Sequence, residues 1–354
     1  MPADSTPPAP KRPRAPSRRP AAAREMPSPL PVPLVCPETG APLKWAADGT
    51  SVFTDAGRHY PVVEGIPVLL RGDTQATHRS IRRSLRMAES ARPGPQSERQ
   101  GDGAAGGGID DTVRKSVGAV AGMLYLNNME HMARYPVPEI PLPPGDGKVL
   151  LDIGANWGRW SHAASRKGYT VVAIDPNLES MLAGLKVDAH FGVKIHRIVG
   201  DARYLPFPDL TFDTVFSNGV LQHFAKDDVR RTLDEVGRVL KDDGLSKIQM
   251  ANILGLNNTI TRARRLFRAP IEFEARYWMP SELVETFRNH IGPTSLEPDC
   301  FFSLNAQAAD LDLMEPHARA VVQASELLKK VAAHARPLGL FADSVYLTSN
   351  VTWT

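Results

Sequence analysis

The sequence predicts an α/β protein, an open and mostly parallel sheet covered by helices on both faces, preceded by a small β-rich unit. Three observations lead there. From residue 148 to 251, short apolar runs alternate with stretches of helical period. Within them, "KVLLDIGANWGRWSHAASRKGYTVVAIDPN" (148–177) sets a strand, a Gly-bearing turn, an amphipathic helix and a second strand ending on an acid into one βαβ unit. Residues 31–72 differ in character, their short apolar runs being broken by Gly, Pro and Asp turns.

In chain order, residues 1–30 combine Pro, Ala and Arg with almost no large apolar side chains, too little to offset the cost of ordering, and are expected to form a disordered tail. That tail carries Lys11, Arg12, Arg14, Arg18, Arg19 and Arg24, whereas the whole chain of 354 residues has a net charge of +3. The body is therefore near neutral, and its charge makes no case for nucleic acid as a partner. Residues 31–72 read as a small β domain that must dock on a larger one, since about 40 residues are marginal alone. Residues 73–110 read as a flexible linker, with "RPGPQSERQGDGAAGGG" in its middle and a short basic helix, "HRSIRRSLRMAES", presenting a solvated face.

The main unit spans 111–354. It opens on a helix in "VRKSVGAVAGMLYLNNMEHMAR". Strands are expected at 148–153, 170–175, 193–199, 212–217 and 245–251, and helices at 157–167, 178–186 and 226–240. A helix near 280–289, a strand near 296–303, a long helix near 311–334 and a last strand at 341–352 follow; the long helix is open to a role as a lid or as the surface of a homodimer. Two cysteines only, Cys36 and Cys300, exclude a disulfide framework and a four-Cys zinc site, so no metal is expected. No apolar run nears the roughly 18 residues that span a bilayer, and no apolar stretch follows the basic N-terminus. A soluble cytoplasmic protein without a membrane partner is the expectation.

Strand, Gly turn and helix N-terminus make a cofactor site because Gly154 lets a ligand approach the backbone and the next helix offers unpaired N–H groups. Asp175 lies 21 residues after Gly154, at the tip of the next strand, where a carboxylate can accept from both hydroxyls of a ribose. Dinucleotide enzymes and S-adenosylmethionine (SAM) enzymes share this much. A dinucleotide fingerprint needs G-x-G-x-x-G, but here Gly154-Ala155-Asn156-Trp157-Gly158-Arg159 puts Asn and Arg where the second and third glycines belong. Trp157 and Arg159 would crowd a pyrophosphate. SAM carries no phosphate and tolerates bulk between Gly154 and Gly158. Trp157 and Trp160 are read as packing residues.

Downstream, "VGDARYLPF" places Asp201 after the third strand, "TFDTVFSNGVLQHF" ends the fourth at Ser217-Asn218, and "LDEVGRVLKDDG" leads into the fifth. This ordered succession resembles the class I SAM-dependent methyltransferase family, in its methyltransferase type 11 branch, across about 111–354. The resemblance implies a seven-stranded Rossmann-like sheet of order 3-2-1-4-5-7-6 with an antiparallel last strand. It further implies that Asp152, Gly154 and Gly158 hold the methionine part of SAM, that Asp175 takes the ribose, that Asp201 and Ala202 face adenine, and that Asn218 and Val220 line the methyl-donor side. Asn156 departs from the family's middle Gly; its side chain must turn from the ligand or bond it. "LVCPETGAPL" and "YPVVEGIPVLL" resemble the Trm112-like small zinc-ribbon fold, but Cys36 stands alone and Thr39 takes the second ligand's place, implying a metal-free scaffold.

In-line methyl transfer mainly needs alignment and exclusion of water. A hydroxyl acceptor also needs a base, and His223 after the fourth strand is the best-placed one, ahead of His131. Between the fifth and sixth strands, Arg262, Arg264, Arg265 and Arg268 read as a solvated helical face, while Arg276, Tyr277 and Trp278 read as lining for an acceptor bearing carboxylate or phosphate. The reading is methyl transfer to an O or N atom of a small-molecule acceptor, such as a secondary metabolite, sugar or amino-acid derivative. The alternatives are an RNA methyltransferase, a non-catalytic scaffold of the same fold and, more distantly, an NAD-dependent oxidoreductase.

Overall fold

The strands form where β-branched and aromatic residues run together, and they join into one twelve-stranded sheet. In the computed structural model, which describes residues 25–72, 80–91, 109–271, 273–305 and 307–351, the strands are β1 (Glu25–Met26), β2 (Lys44–Ala46), β3 (Ser51–Phe53), β4 (His59–Val63), β5 (Ile66–Leu69), β6 (Val149–Ile153), β7 (Thr170–Asp175), β8 (His196–Gly200), β9 (Phe212–Ser217), β10 (Leu240–Ala251), β11 (Thr294–Cys300) and β12 (Ser344–Asn350). Their order is β1-β2-β3-β4-β5-β8-β7-β6-β9-β10-β12-β11. Numbered among themselves, the seven strands of the main unit run 3-2-1-4-5-7-6, with β12 antiparallel to both β10 and β11.

A sheet of seven strands standing alone is corrected. β5 pairs in parallel with β8, Val68 opposite Val199 and Leu69 opposite Gly200, so the N-terminal strands continue the main sheet. The edge of β8 is thereby covered rather than left as an open row of backbone donors and acceptors. Of the predicted 1–30 tail, residues 1–24 lie outside the described residues, and the remainder is not a tail: β1 pairs with β2, and Leu30 packs against the core.

Helices α1 (Ser80–Ser90), α2 (Asp111–Ala121), α3 (Arg159–Arg166), α4 (Leu178–Phe191), α5 (Lys226–Val239), α6 (Leu256–Arg264), α7 (Pro280–His290) and α8 (Pro316–His334) flank the sheet. Much of the predicted linker (73–79 and 92–108) lies outside the described residues; α1 within it is the predicted basic helix, but its face is not simply solvated. Ile81 and Ala88 are buried, and the Ser84 hydroxyl donates to the Pro176 carbonyl (2.7 Å) while accepting from Leu178 N (2.9 Å). The helix expected from 113 to 134 breaks at Gly122, φ 102°, and continues as a 3-10 turn over Met123–His131.

Adjacent residues on central strands enter opposite layers, as the pleat requires. Leu150, Val171 and Ala173 pack under α2 and α4, whereas Leu151, Val172 and Ile174 join Leu233, Val236 and Phe287 on the other face. Trp45, Val52 and Tyr60 of the N-terminal strands belong to this second layer, so the small unit shares the main core.

Candidate active site

At the carboxyl ends of β6, β7, β8 and β9, where the strand order reverses, lies a cavity of about 300 Å3. Open parallel sheets leave a crevice at such a switch point because the two neighbouring connections leave on opposite faces. Gly154, Asn156, Asp175, Asp201, Ala202, Asn218, Val220 and His223 line it, together with Trp160 and Asn305, and Ser80 and Ile81 from α1.

The turn after β6 is shaped by close approach. Gly154 has φ +75°, and a Cβ there would stand 2.2 Å from Val220 Cγ2. Val220 thus seats directly on the glycine, and a side chain at 154 would drive it away. Asn156 has φ +52°, left-handed like the glycine it replaces and tolerated by Asn among non-glycine residues. Its own Oδ1 accepts from Trp157 N (2.9 Å), so the side chain folds back on the turn.

Asp175, at the tip of β7, accepts Asn156 N on Oδ2 (3.0 Å) and Asn177 N on Oδ1 (2.8 Å). A carboxylate offers about four acceptor positions, so each oxygen keeps capacity for a ligand. Burial pushes its carboxyl up to about 6 despite the two N–H bonds, which oppose the rise. Asp152 lies behind it, fully enclosed, accepting Ser161 Oγ at 2.6 Å; burial, reinforced by the charge of Asp175, lifts it to about 7. Asp152, expected to contact the ligand, does not line the cavity; its carboxylate fixes α3 through Ser161.

Gly158 is also absent from the lining. Its φ is +103°, and a Cβ would meet Arg197 Nη2 at 2.8 Å. The glycine makes room for a buried cluster in which Arg197 donates to both oxygens of Asp188 (2.8 and 2.6 Å) and to the Trp157 carbonyl (3.1 Å). That cluster holds the 154–158 turn from behind.

Asp201 lines the cavity, but its carboxylate is already held by the Arg203 guanidinium (Nε 3.0 Å, Nη2 2.7 Å) and by Arg203 N (3.0 Å). Arg203 also reaches Asp228 (3.3 Å). Asn218 donates through Nδ2 to Tyr346 OH (2.8 Å), and its buried Oδ1 has no partner among the described residues. The loop beyond is pinned by Gly219 N donating to Gln249 Oε1 (3.0 Å). His223 Nδ1 lies 2.7 Å from the Phe273 carbonyl, with the two rings stacked 4.0 Å apart. A carbonyl can only accept, so Nδ1 carries the proton and Nε2 is the basic nitrogen.

Arg276, Tyr277 and Trp278, expected to line an acceptor site, do not line this cavity. Arg276 braces the loop, its N donating to Gln222 O (2.7 Å) and Nη1 to His223 O (2.6 Å). Tyr277 is half-buried. Trp278, 1% exposed, packs in the core beside Leu283 and Phe287 because its backbone bridges to β10 through Ala251 O. Trp160, read as packing, is a wall of the cavity with a buried Nε1 that has no partner among the described residues, whereas His131 is exposed and does not line it.

Sequence reasoning missed Asn305, Tyr346, Gln249 and α1. Asn305 is 7% exposed, sits over Gly219 and keeps a buried Oδ1 without a partner among the described residues. Polar residues inside the apolar strand runs "KIQMA" and "SVYLT" were the one available signal for Gln249 and Tyr346. Among the described residues, no three His, Cys, Asp or Glu side chains converge as metal ligands, and Cys36 instead meets Tyr60 OH at 3.1 Å. No helix among them is long and apolar enough to cross a membrane.

Residues 150–244 match the family described as "Methyltransferase domain". The chain is 36% identical over 96 residues to the uncharacterized methyltransferase YcgJ of Bacillus subtilis, covering 27% of this chain and 37% of that one. It is 34% identical over 99 residues to a demethylmenaquinone methyltransferase of Thermobifida fusca, covering 28% and 41%. A SAM-dependent methyltransferase structure from Methanosarcina mazei overlays with a TM-score of 0.39 at 24% identity, covering 44% of this chain and 85% of that one. The chain thus spans about two fifths of the curated relatives it matches. Residues 150–244 are similar to methyltransferase domains, and the cofactor this similarity implies is S-adenosylmethionine.

Proposed function

We propose that the protein transfers a methyl group from SAM to an O or N atom of a small-molecule acceptor. The observation that carries this is the Asp175 carboxylate, fixed by two backbone N–H groups at a strand tip with acceptor capacity left toward a cavity of about 300 Å3. That volume lies at the lower end for small-molecule sites. The residues fit the cofactor: Asp175 for a ribose diol, the side chains around Ala202 for a flat base, and the orphaned Asn218 Oδ1 on the donor side. Asp201 serves adenine with the lone pairs Arg203 leaves free, a narrower role than an unpaired carboxylate would have.

Bound there, SAM supplies an electrophilic methyl carbon. The chain's own part is alignment and enclosure. Val220, seated on Gly154, limits how deep a ligand can sink; Tyr346 and Gln249 hold Asn218 and Gly219 in place; and Ile81 of α1 helps exclude water. For a hydroxyl or protonated amine acceptor, His223 Nε2 takes the proton, the ring being oriented by Phe273. Asn305 is the acceptor-side group that sequence reasoning did not reach.

For the N-terminal residues we propose a metal-free Trm112-like module, separate from the 111–354 unit in origin and acting as a scaffold. The lone Cys36, bonded to Tyr60 rather than to further thiols, and the pairing of β5 with β8 support this. The test of the activity is incubation of the purified chain and methyl-labelled SAM with fractionated host extract. A labelled small molecule supports the proposal; label in RNA alone, or SAM bound without any transfer, rejects it.

A further inference from the structure

The stretch around α6 is inside out. The buried residue of this helix is Asn258, 1% exposed, whose Nδ2 donates to the carbonyls of Asn252 (2.8 Å) and Asp343 (2.7 Å). Its apolar Leu256 and Ile260 are 55% and 41% exposed. Immediately after the helix, Leu266 and Phe267 both adopt left-handed φ, 53° and 54°, a conformation unfavourable for bulky L residues, and stand 88% and 63% exposed. The loop is held in this form by Glu274, which takes Arg268 on both oxygens (2.7 and 2.9 Å) and Ile271 N (3.1 Å). Of the thirteen large apolar side chains exposed among the described residues, seven fall between 256 and 279. Their clustering marks a binding surface rather than scattered exposure.

Cations frame the apolar tip. Arg262 stands 5.4 Å over the Phe267 ring, Arg264 is exposed in the last turn of α6, and neither has a carboxylate partner among the described residues. From 256 to 276 the sequence holds five arginines against two glutamates.

We propose that this segment is an interfacial anchor that seats the protein on an anionic lipid surface, Leu266 and Phe267 entering the headgroup boundary and Arg262 and Arg264 meeting lipid phosphates. An exposed apolar tip collared by arginine is what such a surface recognises. Outside the described residues, the stretches 1–24, 73–79 and 92–108 contain no Leu, Ile, Val, Phe or Trp, the first of these is itself basic, and Trp353 is the one such side chain that remains. A second copy would set arginine against arginine across a twofold axis. Phe273, 45% exposed, belongs both to this segment and to the cavity wall, so docking brings the mouth of the cavity to the lipid. If the methyltransferase reading holds, the acceptor class that follows is a lipophilic molecule taken from that phase; the docking itself does not rest on that reading.

The test is co-sedimentation of the full chain with phosphatidylcholine vesicles, with and without phosphatidylglycerol, at low and moderate salt. Binding is expected to the phosphatidylglycerol vesicles, to weaken with salt, to fall at least about tenfold in Leu266→Ser/Phe267→Ser and about 30-fold in Arg262→Gln/Arg264→Gln. Unchanged melting temperatures show that the variants are folded. No binding to anionic vesicles overturns the proposal. So does binding that survives Leu266→Ser/Phe267→Ser, which assigns it to the tail from Lys11 to Arg24, or a dimer that the same variant dissociates. SAM titration of the same samples separates loss of docking from failure of the enzymatic reading.

Discussion

Replacing Asp175 by Asn separates the demands of folding from those of binding. The carboxyl is raised from its ordinary 3.8 to about 6, mainly by burial, which places about 3 kcal/mol against the charged form in the folded state at neutral pH. An amide removes that penalty. It also turns one acceptor into a donor, and since Asn156 N and Asn177 N bond different oxygens, one backbone N–H loses its partner, at about 1–3 kcal/mol. The terms nearly cancel, so Asp175→Asn is expected to melt within a few degrees of the parent or above it. SAM binding should weaken by about 1.5–3 kcal/mol, roughly 10- to 150-fold, as charge-assisted bonds to the ribose are lost. The pH dependence has a definite sign. A raised folded value means that Asp175 favours folding below about pH 4 and loses that contribution as pH rises through about 6. Hydroxyl donors favour the ionised form, so parental affinity for SAM should hold above about pH 6 and fall about tenfold per unit below it, and the variant should be flat there. Calorimetry at several pH values with parallel thermal melts measures all of this. Affinity within about twofold of the parent, or a collapse in stability, would refute the reasoning.

Gly154→Ala should cost about 1–2 kcal/mol for its positive φ and about 1–3 more for the clash with Val220, the second part being recovered in Gly154→Ala/Val220→Ala; urea melts of the cycle decide. Trp278→Ala should destabilise by about 3–5 kcal/mol with SAM affinity of the folded fraction unchanged; weaker SAM binding at full stability would return Trp278 to the site. Arg203→Gln should lower stability by about 3–5 kcal/mol, because it strands the buried Asp201 carboxylate, and a neutral outcome in thermal melts would mean that Asp201 has other support.

The parts of the site close together in sequence were the legible ones. Asp175, Gly154 and Asn218 stand where the apolar runs of strands end abruptly, so counting puts them at strand tips, while Val220 was implied by the family resemblance. Gly158 shows where this fails, for a glycine required by a buried arginine reads like one required by a ligand. Trp278 was misplaced for a similar reason, since an aromatic beside Arg276 and Tyr277 gives no sign of which way it packs. Asn305 and α1 reach the cavity, and Tyr346 reaches Asn218 on its wall, from segments distant in sequence, and only the closed sheet brings them there. The union of β5 with β8 is made by backbone groups, which every residue carries, and so leaves no mark in side-chain patterning.

Titration of S-adenosylmethionine and S-adenosylhomocysteine into the purified full chain at pH 7.5, followed by heat, is the most direct test. One equivalent of each is predicted to bind, with affinity lost on Asp175→Ala. A flat trace with both ligands at protein concentrations suited to micromolar binding, or binding indifferent to Asp175, would contradict a cofactor held at the tips of β6 to β9.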